Sequence, residues 1–212
     1  MAIATCSTKL ARLHYQLTNA GLNTKVDFMQ SMRVKGLGAQ FLALMTYERG
    51  DPTYETRDGL LAFLVDGSPK LRALFSVVHQ TCYKGAGKLL VVEDIPLCAK
   101  FYEGALRAAW IHCETLHSKL NYKQRQNLIN DFNNKESTLQ VLMIMVDVAS
   151  NGLNLQKASK RVISMVPAKR ANPQMQAENR VLRVDQENEV EILRVIVKNS
   201  HDQFRETRQT SM

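Results

Sequence analysis

From residue 88 onward, continuous apolar runs alternate with segments whose apolar residues have helical spacing. The runs Lys88–Asp94, Val141–Val146 and Val162–Val166 have the composition of parallel strands covered by helices on both faces. Two further runs, Ile111–Leu116 and Val190–Val197, predict two more strands, the second because it is rich in β-branched residues. The pattern predicts five strands, with the runs at 141–146 and 162–166 in the centre of the sheet.

Helical patterns fill the spaces between these runs. Pro96 is placed to open one helix, Asn121 to cap a second, and Pro173 to begin a third that reaches Leu182. Helical crossovers between successive strands give a parallel sheet with right-handed connections. We therefore predict a doubly wound α/β domain from about Ser68 to Asn199, with its binding crevice at the carboxyl ends of the strands.

The beginning of the chain has a different pattern. Helical stretches around Leu10–Leu17 and Gly38–Met45 precede a polar, turn-rich segment at Glu48–Pro52. We predict three parts: a helical extension and linker at 1–57, the α/β domain at 58–205, and a disordered tail at 206–212.

The formal charge of +8 and the pI near 9.4 favour an anionic partner, because lysines and arginines near phosphates release condensed counterions. The positive charges are scattered and no basic amphipathic helix stands out, so nucleic acid fits better than a membrane surface. No segment approaches the roughly 20 apolar residues of a membrane span. The residues after Met1 do not form a secretory signal, which predicts an intracellular protein.

The cysteines do not indicate a disulfide framework or a metal site. No two of the four form a Cys-x-x-Cys pair. His112 and His117 flank Cys113, but this spacing matches no common zinc-ligand pattern. We predict reduced, structural cysteines and no bound metal.

One segment resembles a phosphate-binding loop without meeting its requirements. The motif is Gly-x-x-x-x-Gly-Lys-Ser/Thr before a helix, whereas Gly85–Lys88 has Cys82 at the first glycine position and Leu89 at the hydroxyl position. The segment also enters a strand, and no Asp-Glu pair occurs anywhere to hold magnesium. We interpret Gly85–Lys88 as a loop.

A second segment is more specific. Gln176, Arg180 and Arg183 recur at spacings of four and three residues and therefore share one face of a helix. A parallel apolar stripe allows this helix to pack on the sheet while both guanidiniums project outward. The alternative is a solvent-facing row of arginines. The apolar stripe consists of Ala177, Val181 and Val184.

The segment Gln176–Gln186 closely resembles the Gln-Ala-x-x-Arg-x-x-Arg-x-Gly-Gln motif of Swi/Snf-type ATPases of helicase superfamily two. Three further resemblances occur in the family's order: Ser68–Leu71, Leu89–Asp94, and Leu116–Lys119 with Arg125 and Phe132. The resemblance covers about Ser68 to Phe204. It implies a RecA-like parallel sheet with helices on both faces, of the P-loop NTPase fold, forming the second motor lobe of a DNA translocase.

The resemblance also implies roles for individual residues. Arg180 and Arg183 are expected to act as arginine fingers on ATP held by a first lobe, which would have to precede Met1. Gln176, Gly152 and Asn154 are expected to take part in nucleotide binding, although Gly152 and Asn154 equally suit a simple turn. ATP and magnesium are expected only with a first lobe, and none is expected to bind this chain alone.

Nucleic-acid contacts in this architecture come mainly from phosphate neutralisation, so Lys119, Lys123 and Arg125 are candidates. They are equally compatible with solvent-facing charges. The implied partners are double-stranded DNA or chromatin, together with the first RecA-like lobe, and the implied location is the nucleus.

Two departures from the family pattern leave an alternative open. Asp185 stands where the family has glycine, and its carboxylate can compete with phosphate for Arg183. The loop predicted at Asp147–Ser150 lacks the usual glycines. The alternative is a catalytically inactive module that binds DNA or protein. An RNA helicase lobe of the DEAD type is disfavoured because the His-Arg-x-Gly-Arg-x-x-Arg motif is missing.

Overall fold

A single parallel sheet organises the described part of the chain, and its strand order is β2-β3-β1-β4-β5. The computed structural model describes residues 6–8, 10–11, 56–85, 87–149, 155, 159–165, 167 and 190–210. The strands are β1 (Lys88–Glu93), β2 (Cys113–Leu116), β3 (Val141–Met145), β4 (Ser159–Ser164) and β5 (Glu191–Arg194).

The sheet confirms the predicted fold class and the predicted strand positions. The predicted central runs, at 141–146 and 162–166, correspond to β3 and β4, which flank β1 on either side. Every residue of β3 is buried, and β1 is buried from Leu89 to Glu93. Burial of successive residues, whose side chains point to opposite faces, requires that both faces of the sheet are covered.

Helices connect the strands, and two of them begin at the helix-start residues that were predicted from the sequence. Pro96 occupies the first turn of its helix, where a missing backbone N–H does no harm. Asn121 and Gln124 form a reciprocal capping box, in which each side chain accepts from the other residue's backbone N–H. The helices are α1 (Arg57–Val65), α2 (Pro69–Val78), which continues as a π-helical segment (His79–Lys84), α3 (Pro96–Ala108), α4 (Tyr122–Asn133), α5 (Val146–Ala149) and α6 (His201–Thr210).

A short piece of the predicted N-terminal extension packs on the α/β domain. Cys6 and Leu10 belong to the main hydrophobic core, and the backbone N–H of Thr8 donates to the carbonyl of Gly67 at 3.2 Å. Gly67 has a φ of +65°, and a Cβ there would lie 2.7 Å from the hydroxyl of Thr8, so the turn requires glycine. Nearly all the rest of the predicted extension, and the helix predicted from Pro173 to Leu182, lie outside the described residues.

Two predictions about loops were wrong. Residues 206–210, predicted to be disordered, belong to α6, because Arg205 and Glu206 anchor this polar helix to the rest of the domain. The segment from Asp147, predicted to be a loop, begins as the short helix α5, because Val146 and Val148 are both buried in the core. In both cases, tertiary contacts stabilise a helix that the local sequence does not favour.

Candidate functional site

The predicted functional segments follow the strand ends at the carboxyl edge of the sheet. All four strand pairs are parallel, so the segments after β1, β2, β3 and β4 leave the sheet on the same side. Among the site residues predicted from the sequence, the structure describes Lys119, Lys123 and Arg125, which follow β2. The other predicted site residues lie outside the described residues and stay predictions: Gly152, Asn154, Gln176, Arg180 and Arg183, together with Asp185.

Arg125 holds the turn between β2 and α4. Its Nε donates to the carbonyl of Leu120 at 2.9 Å, and its Nη2 donates to the carbonyl of Ser118 at 2.6 Å. A guanidinium has five N–H donors, and two of its nitrogens are occupied here by backbone acceptors. Arg125 therefore shapes the turn that presents its neighbours, a role that the sequence did not distinguish from a direct phosphate contact.

Lys119 and Lys123 are both exposed on the turn that Arg125 organises. Between them lies Tyr122, a residue that is 79% exposed at the first position of α4. The amino end of a helix carries partial positive charge, which adds to the two ammonium groups. The structure thus brings these two predicted contacts together in one basic, aromatic-containing turn at the carboxyl edge.

A buried ion pair lies at the same edge. Lys70 of α2 and Asp202 of α6 are almost fully buried, and the Lys70 Nζ lies 2.6 Å from an Asp202 carboxylate oxygen. The same Nζ donates to the carbonyl of Met165, just after β4, at 2.6 Å. Charged groups are rarely buried unless they are paired, and here each has its counter-ion.

Glu93, the last residue of β1, is a second buried acid in this region. Its Oε1 accepts hydrogen bonds from the backbone N–H groups of Asp94 at 2.8 Å and Ile95 at 2.9 Å. Burial raises the pKa of Glu93 to about 7, although these hydrogen bonds and the nearby Lys70 ammonium oppose the rise. Glu93 therefore changes its charge near neutral pH.

Helix α6 is fastened across the strand ends by charged side chains. Arg205 donates to the carbonyl of Pro167 at 2.9 Å and lies 3.8 Å from the Asp94 carboxylate. Glu206 pairs with Arg194, the last residue of β5, at 3.3 Å. The functional residues predicted from the sequence did not include Lys70, Glu93, Asp202 or Arg205. The only available signal was that Lys70 lies within the Ser68–Leu71 resemblance.

The loop that resembles a phosphate-binding motif lies at the opposite, amino edge. Gly85 follows the π-helical segment and Lys88 begins β1, as predicted for a loop that enters a strand. The Lys88 Nζ donates to the carbonyls of Phe132 at 3.0 Å and Asn134 at 2.7 Å, at the end of α4. Its ammonium group thus caps a helix.

The four cysteines and His112, one of the two histidines that flank Cys113, have ordinary structural surroundings. The four cysteines are free thiols, and burial raises the pKa of Cys82 to about 11. His112 shares a hydrogen bond with the Thr138 hydroxyl at 2.9 Å. Among the residues that the structure describes, no three His, Cys, Asp or Glu side chains are grouped to hold a metal. None of the helices in this part of the chain combines the length and the apolar composition that a membrane-spanning segment requires.

Comparison with known proteins shows where this architecture belongs. Residues 71–185, more than half of the chain, match the family described as the helicase conserved C-terminal domain. A solved structure, the C-terminal part of the Fun30 ATPase domain, superimposes with a TM-score of 0.64 over 69% of this chain and 46% of that chain. Its sequence identity is 22%, so this likeness establishes the fold alone.

Two curated relatives come from Arabidopsis thaliana. The first is a putative SWI/SNF-related matrix-associated actin-dependent regulator of chromatin, subfamily A member 3-like 1, which is 29% identical over 63% of this chain. The second is the SNF2 domain-containing protein CLASSY 3, which is 34% identical over 40% of this chain. The matched regions span 15% and 6% of these relatives. The chain belongs to the helicase conserved C-terminal domain family and is a lobe of the SNF2 type.

Proposed function

We propose that this chain acts as the second motor lobe of an ATP-dependent DNA translocase of the chromatin-remodelling type. The observation that carries the proposal is the family match over 71–185, which includes both arginines of the Gln176–Gln186 motif. ATP and magnesium would be held by a first RecA-like lobe, and Arg180 and Arg183 would reach the nucleotide from this one. One relative is named as a regulator of chromatin and the other as an SNF2 domain-containing protein, which supports a role on chromatin, and hence in the nucleus.

The proposed chemistry is stabilisation of phosphoryl transfer by charge. Negative charge spreads over the transferred phosphoryl group in the transition state, and a guanidinium placed against it typically contributes roughly 10³- to 10⁵-fold in rate. Gln176, Gly152 and Asn154 would contact the nucleotide or the loop that links it to DNA. The 212 residues contain no Gly-x-x-x-x-Gly-Lys-Ser/Thr sequence, so this chain would complete an ATP site without binding ATP alone.

Duplex DNA would be engaged at the carboxyl edge of the sheet. Lys119 and Lys123 are exposed on one turn there, and Arg125 fixes the backbone of that turn through two carbonyls. Phosphate contacts of this kind position a protein on DNA without reading its sequence. The proposed mode of binding is therefore independent of sequence and sensitive to salt.

The arginine role can be tested by complementation. The chain is mixed with a separately purified SNF2-type first lobe that carries the phosphate loop, and DNA-stimulated ATP hydrolysis is measured. We expect turnover only with both lobes, and a loss of at least about a thousandfold for Arg180→Ala. Arg208→Ala, an exposed arginine on α6, is the matched control and should retain turnover.

Two results of this experiment would contradict the motor-lobe proposal. The first is turnover by the chain alone, and the second is the absence of any stimulation of the first lobe at any concentration. The second result would favour the alternative, a catalytically inactive module that binds DNA or protein. Asp185 is the feature that favours it, and in that case Asp185→Gly, which restores the family residue, should restore turnover in the mixture.

A further inference from the structure

Just after β4, two backbone carbonyls accept hydrogen bonds from cationic side chains of other elements. Lys70 of α2 donates to the carbonyl of Met165 at 2.6 Å, and Arg205 of α6 donates to the carbonyl of Pro167 at 2.9 Å. Met165 and Pro167 are themselves buried. Two long-range contacts, from residues far away on either side in the sequence, thus converge on one short segment.

The first contact depends on the C-terminal helix. Lys70 is 1% exposed and its buried counter-ion, Asp202, lies in the first turn of α6. Asp202 is held in turn, because its N–H donates to the Ser200 hydroxyl at 3.1 Å and its carboxylate accepts from the Val197 N–H at 3.4 Å. Removing two charges from water is costly, so such a pair requires close geometric complementarity.

The second contact originates in the same helix. Arg205 lies one turn after Asp202 in α6, and its guanidinium also lies 3.8 Å from Asp94, at the exit of β1. Arg205 and Asp94 are both mostly buried, with side chains 16% and 14% exposed. Helix α6 therefore holds the exit of β4 twice: directly through Arg205, and indirectly through Asp202 and Lys70.

We propose that Lys70, Asp202 and Arg205 form a clamp. These three side chains are positioning residues for the Gln176–Gln186 motif. Arg180 and Arg183 follow the exit of β4 along the chain, so the clamp sets where the segment that bears them begins. This inference rests on the proposed function of those two arginines. A displacement of α6 would release both carbonyls together, which couples the C-terminal segment of the chain to the ATP site.

Hydrogen exchange on the full 212-residue chain tests the clamp without ATP. In Arg205→Gln we expect amide exchange in peptides spanning 165–189 to accelerate roughly tenfold, as for loss of one charge-assisted hydrogen bond. Peptides from β1 and β3 should keep their rates. Arg208→Gln removes the same charge from an exposed position on the same helix and should leave the rates in 165–189 unchanged.

Further variants separate positioning from general loosening of the domain. Arg205→Lys retains a donor and should return the exchange rates of these peptides most of the way to those of the parent. Lys70→Met should accelerate the same peptides if it folds. If it does not fold, Arg205→Gln with its lysine rescue still decides the matter. Equal acceleration in β1, β3 and 165–189, or no change in 165–189, would overturn the clamp.

The ATPase mixture distinguishes failure of the clamp from failure of the proposed function. With both lobes present, Arg205→Gln should lower kcat about tenfold and leave the KM for ATP nearly unchanged, because the ATP is held by the first lobe. If Arg180→Ala abolishes turnover but Arg205→Gln alters neither exchange nor kcat, the clamp is refuted and the motor lobe stands. If Arg180→Ala has no effect on turnover, the proposed function itself fails, whatever the exchange shows.

Discussion

Two lysines at opposite edges of the sheet donate to backbone carbonyls, but their surroundings differ. At the amino edge, Lys88 is partly exposed and caps the end of α4 through three carbonyls. Burial lowers the pKa of Lys88, and the nearby Asp131 partly opposes this. At the carboxyl edge, Lys70 is buried, donates to one carbonyl and pairs with the buried Asp202.

The two edges differ in whether water can replace the lysine as a hydrogen-bond donor. At the amino edge, water can reach the acceptors of Lys88, so its loss exposes carbonyls that can be solvated. At the carboxyl edge, loss of the Lys70 ammonium would leave Asp202 charged and buried without its cation. The amino edge is therefore expected to tolerate substitution, whereas the carboxyl edge is expected to depend on each member of its charged group.

The largest expected effect comes from removing the two lysines separately. Lys70→Met should lower the free energy of unfolding by about 3–5 kcal/mol, the typical loss when one partner of a buried ion pair is removed. Lys88→Met should lower it by only about 1–2 kcal/mol, because its hydrogen bonds are partly exposed and water can replace the ammonium donor. Urea denaturation of both variants at pH 7 measures the contrast.

A double variant shows whether the stability lost in Lys70→Met comes from the missing ion pair or from the buried charge that is left without its partner. Lys70→Met combined with Asp202→Leu replaces the ion pair by apolar groups of similar size and should recover a large part of the lost stability. Equal destabilisation by Lys70→Met and Lys88→Met would contradict the distinction drawn between the two edges.

The second effect concerns pH and again belongs to the carboxyl edge. The pKa of Glu93 is about 7 in the folded protein, against 4.5 as its ordinary value, so the folded state holds this proton more tightly than the unfolded state. Stability contributed by the protonated form is present at low pH and is lost as pH rises through the folded pKa. The free energy of unfolding should therefore fall by up to about 3 kcal/mol between pH 5 and pH 8 because of this group.

Glu93→Gln should remove this dependence. Glutamine keeps a carbonyl oxygen for the N–H groups of Asp94 and Ile95 but carries no charge, so the variant should be more stable than the parent at pH 8. Glu136→Gln, an exposed position in the turn after α4, controls for the change in net charge. The measurement is urea denaturation across pH 5–8. A parent and a Glu93→Gln variant with the same slope would show that Glu93 does not titrate in this range.

The strands of this fold could be predicted because they are encoded locally. A run such as Val141–Met145 is apolar at every position, which indicates a strand covered on both faces or a fully buried helix. The same holds for Pro96 and Asn121, whose helix-start signals depend on neighbouring residues alone. These elements agree with the structure because no distant contact has to overrule the local preference.

The charged group at the carboxyl edge could not be predicted in this way. Lys70 and Asp202 lie in distant parts of the sequence, and nothing in their neighbours shows that either is buried. The end of helix α6, at 206–210, is polar at every position, so its pattern suggested a tail. Arg125 presents the same difficulty at a single residue, because an arginine that binds phosphate and one that holds a turn have identical side chains. Only the positions of the Ser118 and Leu120 carbonyls distinguish them.

The smallest expected effect is on DNA binding, where exposed lysines at the two edges of the sheet can be compared. Lys123 lies at the start of α4 on the carboxyl edge, and Lys135 lies just after its end, towards the amino edge. Each alanine variant removes one positive charge, so a difference in DNA affinity between the two variants shows at which edge the DNA lies. Lys123→Ala should weaken binding a few-fold and reduce the slope of log K against log salt by about 1, the signature of one lost phosphate contact.

Lys135→Ala should leave that slope unchanged, because the bound duplex would lie at the other edge. Fluorescence anisotropy with a labelled duplex, measured between about 50 and 200 mM salt, gives both slopes. Arg125→Ala adds a third case. It should weaken binding together with stability, since the turn that presents Lys119 and Lys123 loses two hydrogen bonds. Equal slopes for Lys123→Ala and Lys135→Ala would show that DNA is attracted by net charge alone and that the carboxyl edge is not its binding surface.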